Sequence, residues 1–138
     1  MTTAFDADVL IYAATPQHPL GRRVFALFDG RPAETAGVGS VLLTNEVLPK
    51  PLRANLESPQ AAQLGWLLAG LELWPVSDQV SEYAVALAVK YGLTTVDAIH
   101  LATAILAGAD RFLTNNRKDF DKQRIAEVAI VYPDDLPA

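Results

Sequence analysis

The sequence predicts an α/β domain built on a mainly parallel β-sheet. Short apolar segments alternate with longer segments of helical periodicity along the chain. Of its 138 residues, 51% are hydrophobic and 20% are charged, which is a globular composition. No internal repeat or low-complexity linker divides the sequence, so we expect a single domain over residues 1–138.

The first elements follow from apolar spacing and from the positions of proline and glycine. Residues 3–6 predict a strand that ends in an aspartate, and the apolar run at 9–14 favours a short helix. Apolar residues recur at helical spacing in 19–28, which predicts a second helix ended by Gly30. The segment 33–39 is predicted as an edge strand, weakened by its two glycines.

The later elements carry clearer start and stop signals. They are a helix at 40–48, a helix from 59 onwards, a strand at 73–76, a helix at 78–91, and strands at 111–114 and 129–132. Ser40, Ser58 and Asp78 are expected to cap the three helices, because short polar side chains accept bonds from free amides. Pro49 is expected to end the first of these helices and Gly92 the third.

The stretch 91–108, YGLTTVDAIHLATAILAG, predicts the start, body and end of one helix. Thr94 or Thr95 can cap it, and the final glycine suits a left-handed end. Asp97 in the first turn has two interpretations, helix capping or a metal ligand. His100 lies one turn later on the same side, and such a histidine is more often a core or supporting residue than a catalyst.

Composition excludes several classes of function. The chain has no cysteine, which excludes disulfides and thiol chemistry. No apolar run approaches the roughly 20 residues that span a bilayer, and the N-terminus has no basic region of a secretory signal, so we expect a cytoplasmic protein without a membrane partner. The net charge of −5 does not suit nucleic-acid binding overall, although basic residues crowd into 111–124.

Acidic and polar residues are expected to meet at one edge of the sheet. Asp6 and Asp8 follow the first strand, the polar loop 114–116 follows a late strand, and ligands bind beyond the carboxyl ends of parallel strands. Asp97 opens the helix leading into that late strand, and Glu46, on an otherwise apolar helix, either joins the cluster or faces solvent. Oxygen ligands without histidine or cysteine select Mg²⁺ or Mn²⁺, whose natural chemistry here is phosphate-ester hydrolysis.

Four stretches taken together resemble the PIN domain family, in particular its VapC-like toxin branch. They are FDADVLIYA at 5–13, TNEVL at 44–48, TTVDAIHLATAI at 94–105 and RFLTNNRKDF at 111–120. The third stretch is the most specific, and together they span nearly the whole chain in the family's order. The resemblance implies a three-layer α/β/α sandwich and a ribonuclease that depends on Mg²⁺ or Mn²⁺.

The resemblance also implies site residues and partners. The family's acidic quartet falls on Asp6, Glu46, Asp97 and Asn116, with Asp6 and Asp97 as expected metal ligands. The family usually has TND where this chain has TNN, so either Asn116 or Asp119 fills the fourth position. The implied substrate is RNA, tRNA in particular, and the implied partners are an antitoxin protein and a second copy of the chain, in the bacterial cytoplasm.

Two other functions are compatible with parts of the sequence. Haloacid-dehalogenase-like phosphatases have an order of motifs that is matched here by Asp6, Thr114 and the acids 134–135. The spacing does not fit, because Thr114, a lysine and the final acids lie within only about twenty residues. A PIN fold without activity that serves as a binding module is the other alternative, and Asn116 is its only support.

Overall fold

A computed structural model describes residues 1–29 and 35–138 and contains a five-stranded, wholly parallel sheet. The strands are β1 (Thr3–Phe5), β2 (Gly37–Ser40), β3 (Leu71–Trp74), β4 (Arg111–Leu113) and β5 (Ala129–Val131). Their order across the sheet is β3-β2-β1-β4-β5, and each neighbouring pair is parallel. The predicted parallel sheet is therefore confirmed.

Helices pack on both faces of this sheet. They are α1 (Ala7–Ala13), α2 (Pro19–Phe25), α3 (Leu42–Val47), α4 (Pro49–Ala54), α5 (Pro59–Ala69), α6 (Asp78–Tyr91) and α7 (Thr95–Leu106), followed near the C-terminus by a 3-10 turn at Pro133–Asp135. One core contains apolar residues of α6 and α7, and the other contains those of α1, α2, α3 and α5. The three-layer α/β/α sandwich is thus confirmed.

Alternation along the strands supplies the two cores. Ala4 and Phe112 belong to the α6–α7 core, whereas Phe5 and Leu113, their next neighbours along the strands, belong to the opposite core. Successive side chains of a strand point to opposite faces, so each short strand serves both layers. The buried strands therefore have near-continuous apolar sequences, which is typical of a covered parallel sheet.

Several predicted boundaries and roles were wrong. The strand β2 lies between β3 and β1 and is not an edge strand, and its glycines allow close packing: a Cβ on Gly37 would lie 2.0 Å from the carbonyl oxygen of Thr3. The strand predicted at 73–76 occurs two residues earlier. Residues 33 and 34 of the predicted edge strand, and Gly30, lie outside the described residues.

Two helix-end signals also differ from expectation. Pro49 does not end the helical region; it opens α4 directly after α3, because proline is well accommodated in a first helical turn. The cap of α6 is Ser77, whose hydroxyl accepts from the N–H of Val80, and Asp78 is the first helical residue. Ser40 Oγ accepts from the N–H of Leu42 at 3.1 Å, close to its predicted role at α3.

The order of the strands determines where a site can form. The chain moves from β1 to β2 and β3 on one side, and later returns to β4 on the other side of β1. The carboxyl ends of β1 and β4 therefore lie side by side where the winding direction reverses, which is the usual ligand position in such sheets. In the described part of the chain no single helix is long and apolar enough to cross a membrane; α6 and α7 pass that test only as a pair bent by 115°.

Candidate active site

Asp6 lies directly beyond β1 and is held by two hydrogen bonds. Its Oδ1 accepts from the N–H of Ala7 at 2.8 Å, which caps α1, and its Oδ2 accepts from the hydroxyl of Thr114 at 2.7 Å. Only 5% of Asp6 is exposed. Burial raises the pKa of this carboxyl, although His100 and the two hydrogen bonds oppose the increase. The end of β1 therefore holds one carboxylate whose charged form is destabilised by burial.

Asp97 opens α7 beside that carboxylate. Thr94 caps the helix, and its hydroxyl accepts from the backbone N–H of Asp97 at 3.3 Å. Burial and the charge of Asp6 raise the pKa of the Asp97 carboxyl. The cap itself uses only the backbone N–H of Asp97. A side-chain hydrogen bond with Thr94 also reaches the carboxyl and opposes the rise of its pKa.

Glu46 lies on α3 and meets His100 of α7. The Nε2 atom of His100 and the Oε1 atom of Glu46 form a hydrogen bond that joins the two helical layers. The imidazole is almost completely buried, whereas the Glu46 side chain is 36% exposed. Burial alone would lower the pKa of His100, but the bond to Glu46 and the charges of Asp6 and Asp97 raise it.

Asn116 and Asp119 form one hydrogen-bonded turn after β4. The Asn116 amide donates to Asp119 Oδ2 at 3.1 Å, and the N–H of Asp119 donates to Asn116 Oδ1 at 3.4 Å. The N–H of Asn116 also donates to the Thr114 hydroxyl, which in turn binds Asp6. The charge of Asp119 contributes to the raised pKa of Asp97. Both candidates for the fourth position therefore belong to the same turn.

Asp8 also lies at this edge, as its position after β1 predicted, although it was not among the expected site residues. Its Oδ2 accepts from the N–H of Asn115 at 3.0 Å, whereas its Oδ1 is buried and has no hydrogen-bond partner in the part of the chain that the structure describes. Burial and the charges of Asp6 and Asp97 raise its pKa to about 7. The D-x-D spacing was the available signal, because a helix beginning directly after a strand keeps both acids near the strand end.

Asp8→Asn is expected to stabilise the metal-free protein at pH 8 by roughly 2 kcal/mol. Each pKa unit corresponds to about 1.4 kcal/mol. Asp8 and Asp6 repel each other and titrate as a pair, so only part of the cost of the charged state is assigned to Asp8. The folded-state pKa of Asp8 is raised, so wild-type stability falls as the pH rises from its ordinary pKa of 3.8 towards about 7. The unfolding free energy of the variant should equal that of the wild type near pH 4 and exceed it at higher pH. Chemical unfolding in the presence of a chelator measures both.

The control for this measurement is Glu82→Gln, which neutralises an exposed carboxylate on α6. It should leave the pH dependence of the unfolding free energy unchanged. Equal slopes for Asp8→Asn and the wild type between pH 4 and 8 would show that Asp8 carries no penalty in the folded state.

Contacts of the Tyr132 side chain hold the loop that carries Asn116 and Asp119. The Tyr132 hydroxyl donates to the carbonyl of Phe120 at 2.9 Å, and its ring contacts Arg117 and Lys122 at 4.4 and 4.6 Å from the ring centre. These two cations pair with the acids of the 3-10 turn at Pro133–Asp135. Two of the five basic residues in 111–124 therefore pair with acids of the same chain.

The donor chemistry of this edge fits a hard divalent cation, although no cage is preformed. In residues 1–29 and 35–138, no three Asp, Glu, His or Cys side chains are grouped closely enough to hold a metal ion. Burial, and after it the charge of Asp6, nevertheless raise the pKa of both Asp8 and Asp97, and Asp8 Oδ1 is buried without a partner among the described residues. A cation bound by Asp6 and Asp97 would offset the repulsion between the charges, and carboxylate oxygens are the ligands that Mg²⁺ and Mn²⁺ prefer.

The fold and the residues at its carboxyl edge agree with the comparisons to known proteins. The parallel α/β/α sandwich has acids directly beyond β1 and at the start of α7. The chain belongs to the PIN domain family, whose model matches residues 4–126. This membership argues against the haloacid-dehalogenase-like alternative. No curated protein sequence matches the chain significantly.

Two solved structures are similar to this chain over nearly its whole length. A chain of the toxin–antitoxin complex from Klebsiella pneumoniae is 26% identical, with a TM-score of 0.71 over 96% of this chain and 98% of that chain. A chain in the crystal structure of VapBC2 from Rickettsia felis bound to a DNA fragment from their promoter is 18% identical, with a TM-score of 0.72 and the same coverage. The second similarity supports the fold alone.

Proposed function

We propose that the protein is the toxin of a toxin–antitoxin pair, a VapC-like endoribonuclease that depends on Mg²⁺ or Mn²⁺. The observation that carries this proposal is the carboxylate pair Asp6 and Asp97 of a PIN fold, placed directly beyond β1 and in the first turn of α7. Burial, and after it the charge of Asp6, raise the pKa of Asp97. The complex from Klebsiella pneumoniae, described as a toxin–antitoxin complex, supports the biological role. The proposed location is the bacterial cytoplasm.

Each residue of the proposed site has a separable task. Asp6 and Asp97 would hold the cation, and Glu46 would orient the attacking water and receive its proton. Asn116 would complete the site with a neutral amide oxygen, held in its turn by Asp119. When bound, the cation supplies a more acidic water and neutralises charge that develops on the phosphate. The roles of all four residues are proposals.

The fourth position can be tested with two single variants. If Asn116 holds it, Asn116→Asp should tighten Mn²⁺ binding several-fold in calorimetry, because a full charge replaces an amide dipole. Asp119→Asn should then change the affinity little. The reverse pattern, with a several-fold loss in Asp119→Asn, would assign the position to Asp119. If calorimetry detects no heat of Mn²⁺ binding in the wild type or in either variant, a PIN-fold binding module without activity would be favoured.

The proposed partners are RNA, with tRNA as the favoured class, an antitoxin protein and a second copy of the chain. An acidic protein binds RNA through a local basic surface. Lys118 follows the site turn, and Lys50 and Arg53 lie on α4 soon after Glu46; all three are exposed and have no ion pair among the described residues. These cations, and not Arg117, are the proposed phosphate contacts.

The proposal is tested by incubating the purified protein with total tRNA and a structured control RNA in Mg²⁺ or Mn²⁺. Cleavage that stops with chelator and returns with added metal is the expected result. Release of inorganic phosphate without internal cleavage would contradict a nuclease, and so would cleavage unaffected by chelator. Inhibition by the product of a neighbouring small reading frame would test the toxin–antitoxin role.

A further inference from the structure

His100 is a buried polar residue on an otherwise apolar face of α7, where its imidazole loses contact with water. It is 2% exposed and lies among buried alanines and leucines of α7. Its Nδ1 atom is buried and has no hydrogen-bond partner among the described residues, and a buried polar atom without a partner destabilises the folded state. A leucine would fill the same volume without this penalty, so packing alone does not account for the imidazole.

The one hydrogen bond of the imidazole is directed at a residue of the proposed site. Nε2 binds Oε1 of Glu46, while no hydrogen bond to Oε2 of Glu46 occurs among the described residues. A partly exposed glutamate has several rotatable bonds and loses rotamer entropy when its carboxylate is fixed in one position. The imidazole provides the fixed point, and the second oxygen remains available towards solvent.

The same bond links two elements that no strand pairing connects. Glu46 belongs to α3, which packs on one face of the sheet, and His100 belongs to α7, which packs on the other. The contact crosses the carboxyl edge beside Asp6, whose charge also acts on His100. The position of Glu46 relative to Asp6 and Asp97 is therefore controlled from α7.

We propose that His100 is a positioning residue that fixes one oxygen of Glu46 and so aims the other at the attacking water. This inference rests on the proposed nuclease function. It assigns a role to a residue outside the acidic quartet, and it explains the buried imidazole with its unpartnered nitrogen. Removal of the imidazole should slow the chemical step without weakening RNA binding.

The activity experiment compares His100→Leu with His100→Gln, each alone and combined with Glu46→Gln. His100→Leu should lower kcat about tenfold or more with KM unchanged, as loss of residues that orient ligands does. The glutamine amide can donate from near the position of Nε2, so His100→Gln should recover part of the rate. In the Glu46→Gln background, His100→Leu should cause no further loss. Additive losses, or no recovery in His100→Gln, would overturn the proposal.

Two measurements do not need activity. Calorimetric Mn²⁺ binding should be retained in His100→Leu, because both proposed ligands, Asp6 and Asp97, are still present and His100 acts on them only through its charge. Nitrogen NMR of the wild type and Glu46→Gln should show a lower pKa for His100 in the variant, because its carboxylate partner is lost. The other histidine, His18, stacks on Tyr12 and is the internal control that should not respond.

The outcomes separate the two proposals. If the wild type cleaves RNA but the pKa of His100 is the same in the wild type and in Glu46→Gln, the positioning role alone is overturned. A wild type that cleaves no RNA under any metal condition would overturn the nuclease and with it the positioning role, even if the His100 signal responds.

Discussion

Asp97→Asn is expected to reduce divalent-dependent RNA cleavage by at least about 100-fold while the protein stays folded. Loss of groups that merely orient metal ligands costs up to about 100-fold, and loss of a ligand should cost at least as much. The cap of α7 uses the backbone N–H of residue 97 and the hydroxyl of Thr94, so it survives the change. The metal-free melting temperature should be equal or higher, because Asp97 carries a raised pKa.

The matched control is Thr94→Ala, which removes the cap and keeps the acid. It should cost about 1 kcal/mol of stability and retain cleavage at a temperature well below its midpoint. Metal-dependent cleavage and thermal unfolding are measured on both variants. Full activity in Asp97→Asn would reject the ligand role. Asp6→Asn should reproduce the loss of cleavage, because it removes the charge of the other proposed ligand. Its single amide oxygen can accept only one of the two bonds that Asp6 accepts, from the Ala7 N–H and from the Thr114 hydroxyl, so its thermal unfolding is measured as well.

Gly37→Ala is expected to destabilise the fold by more than about 3 kcal/mol, the upper range for overpacking a core. The added Cβ would lie 2.0 Å from the carbonyl oxygen of Thr3 and 2.9 Å from the Phe5 ring. The first contact is with the backbone of the central strand β1, which cannot move without disturbing its pairing with β4. Denaturant unfolding, or loss of soluble protein on expression, measures the effect.

Gly65→Ala is the control for this experiment. A Cβ at Gly65 meets nothing within 4 Å, and the residue lies inside α5. Alanine should therefore stabilise the helix by roughly 0.5–1 kcal/mol. If the two glycine variants had the same stability, the close approach of β2 to β1 would be wrong.

The helices with complete local signals were predictable from the sequence. Thr94, Gly92 and Gly108 mark the ends of α6 and α7, and both glycines have positive φ. The strand β2 was harder, because the reason for Gly37 lies on another strand. Pro49 was misjudged because proline both ends a helix and opens one, and only packing decides which.

The candidate site was predictable in its parts but not in its contacts. The positions of Asp6 and Thr114 beyond parallel strands follow from topology, and their proximity is what the sequence led us to expect. The bond between Glu46 and His100 joins opposite layers, and no local pattern encodes it. The contact of Asp8 likewise depends on the loop after β4, whose Asn115 N–H donates to Asp8 Oδ2.

The Asp6–Thr114 hydrogen bond has a consequence for the timing of synthesis, because it joins residues 108 positions apart in the chain. At ribosomal rates, the second partner is made roughly 5 to 20 s after the first. Until β4 is available, Asp6 has neither its hydroxyl partner nor the neighbouring strand, and the closure of so long a loop is a late folding event. Nascent or prematurely terminated chains that lack β4 therefore cannot assemble the candidate site.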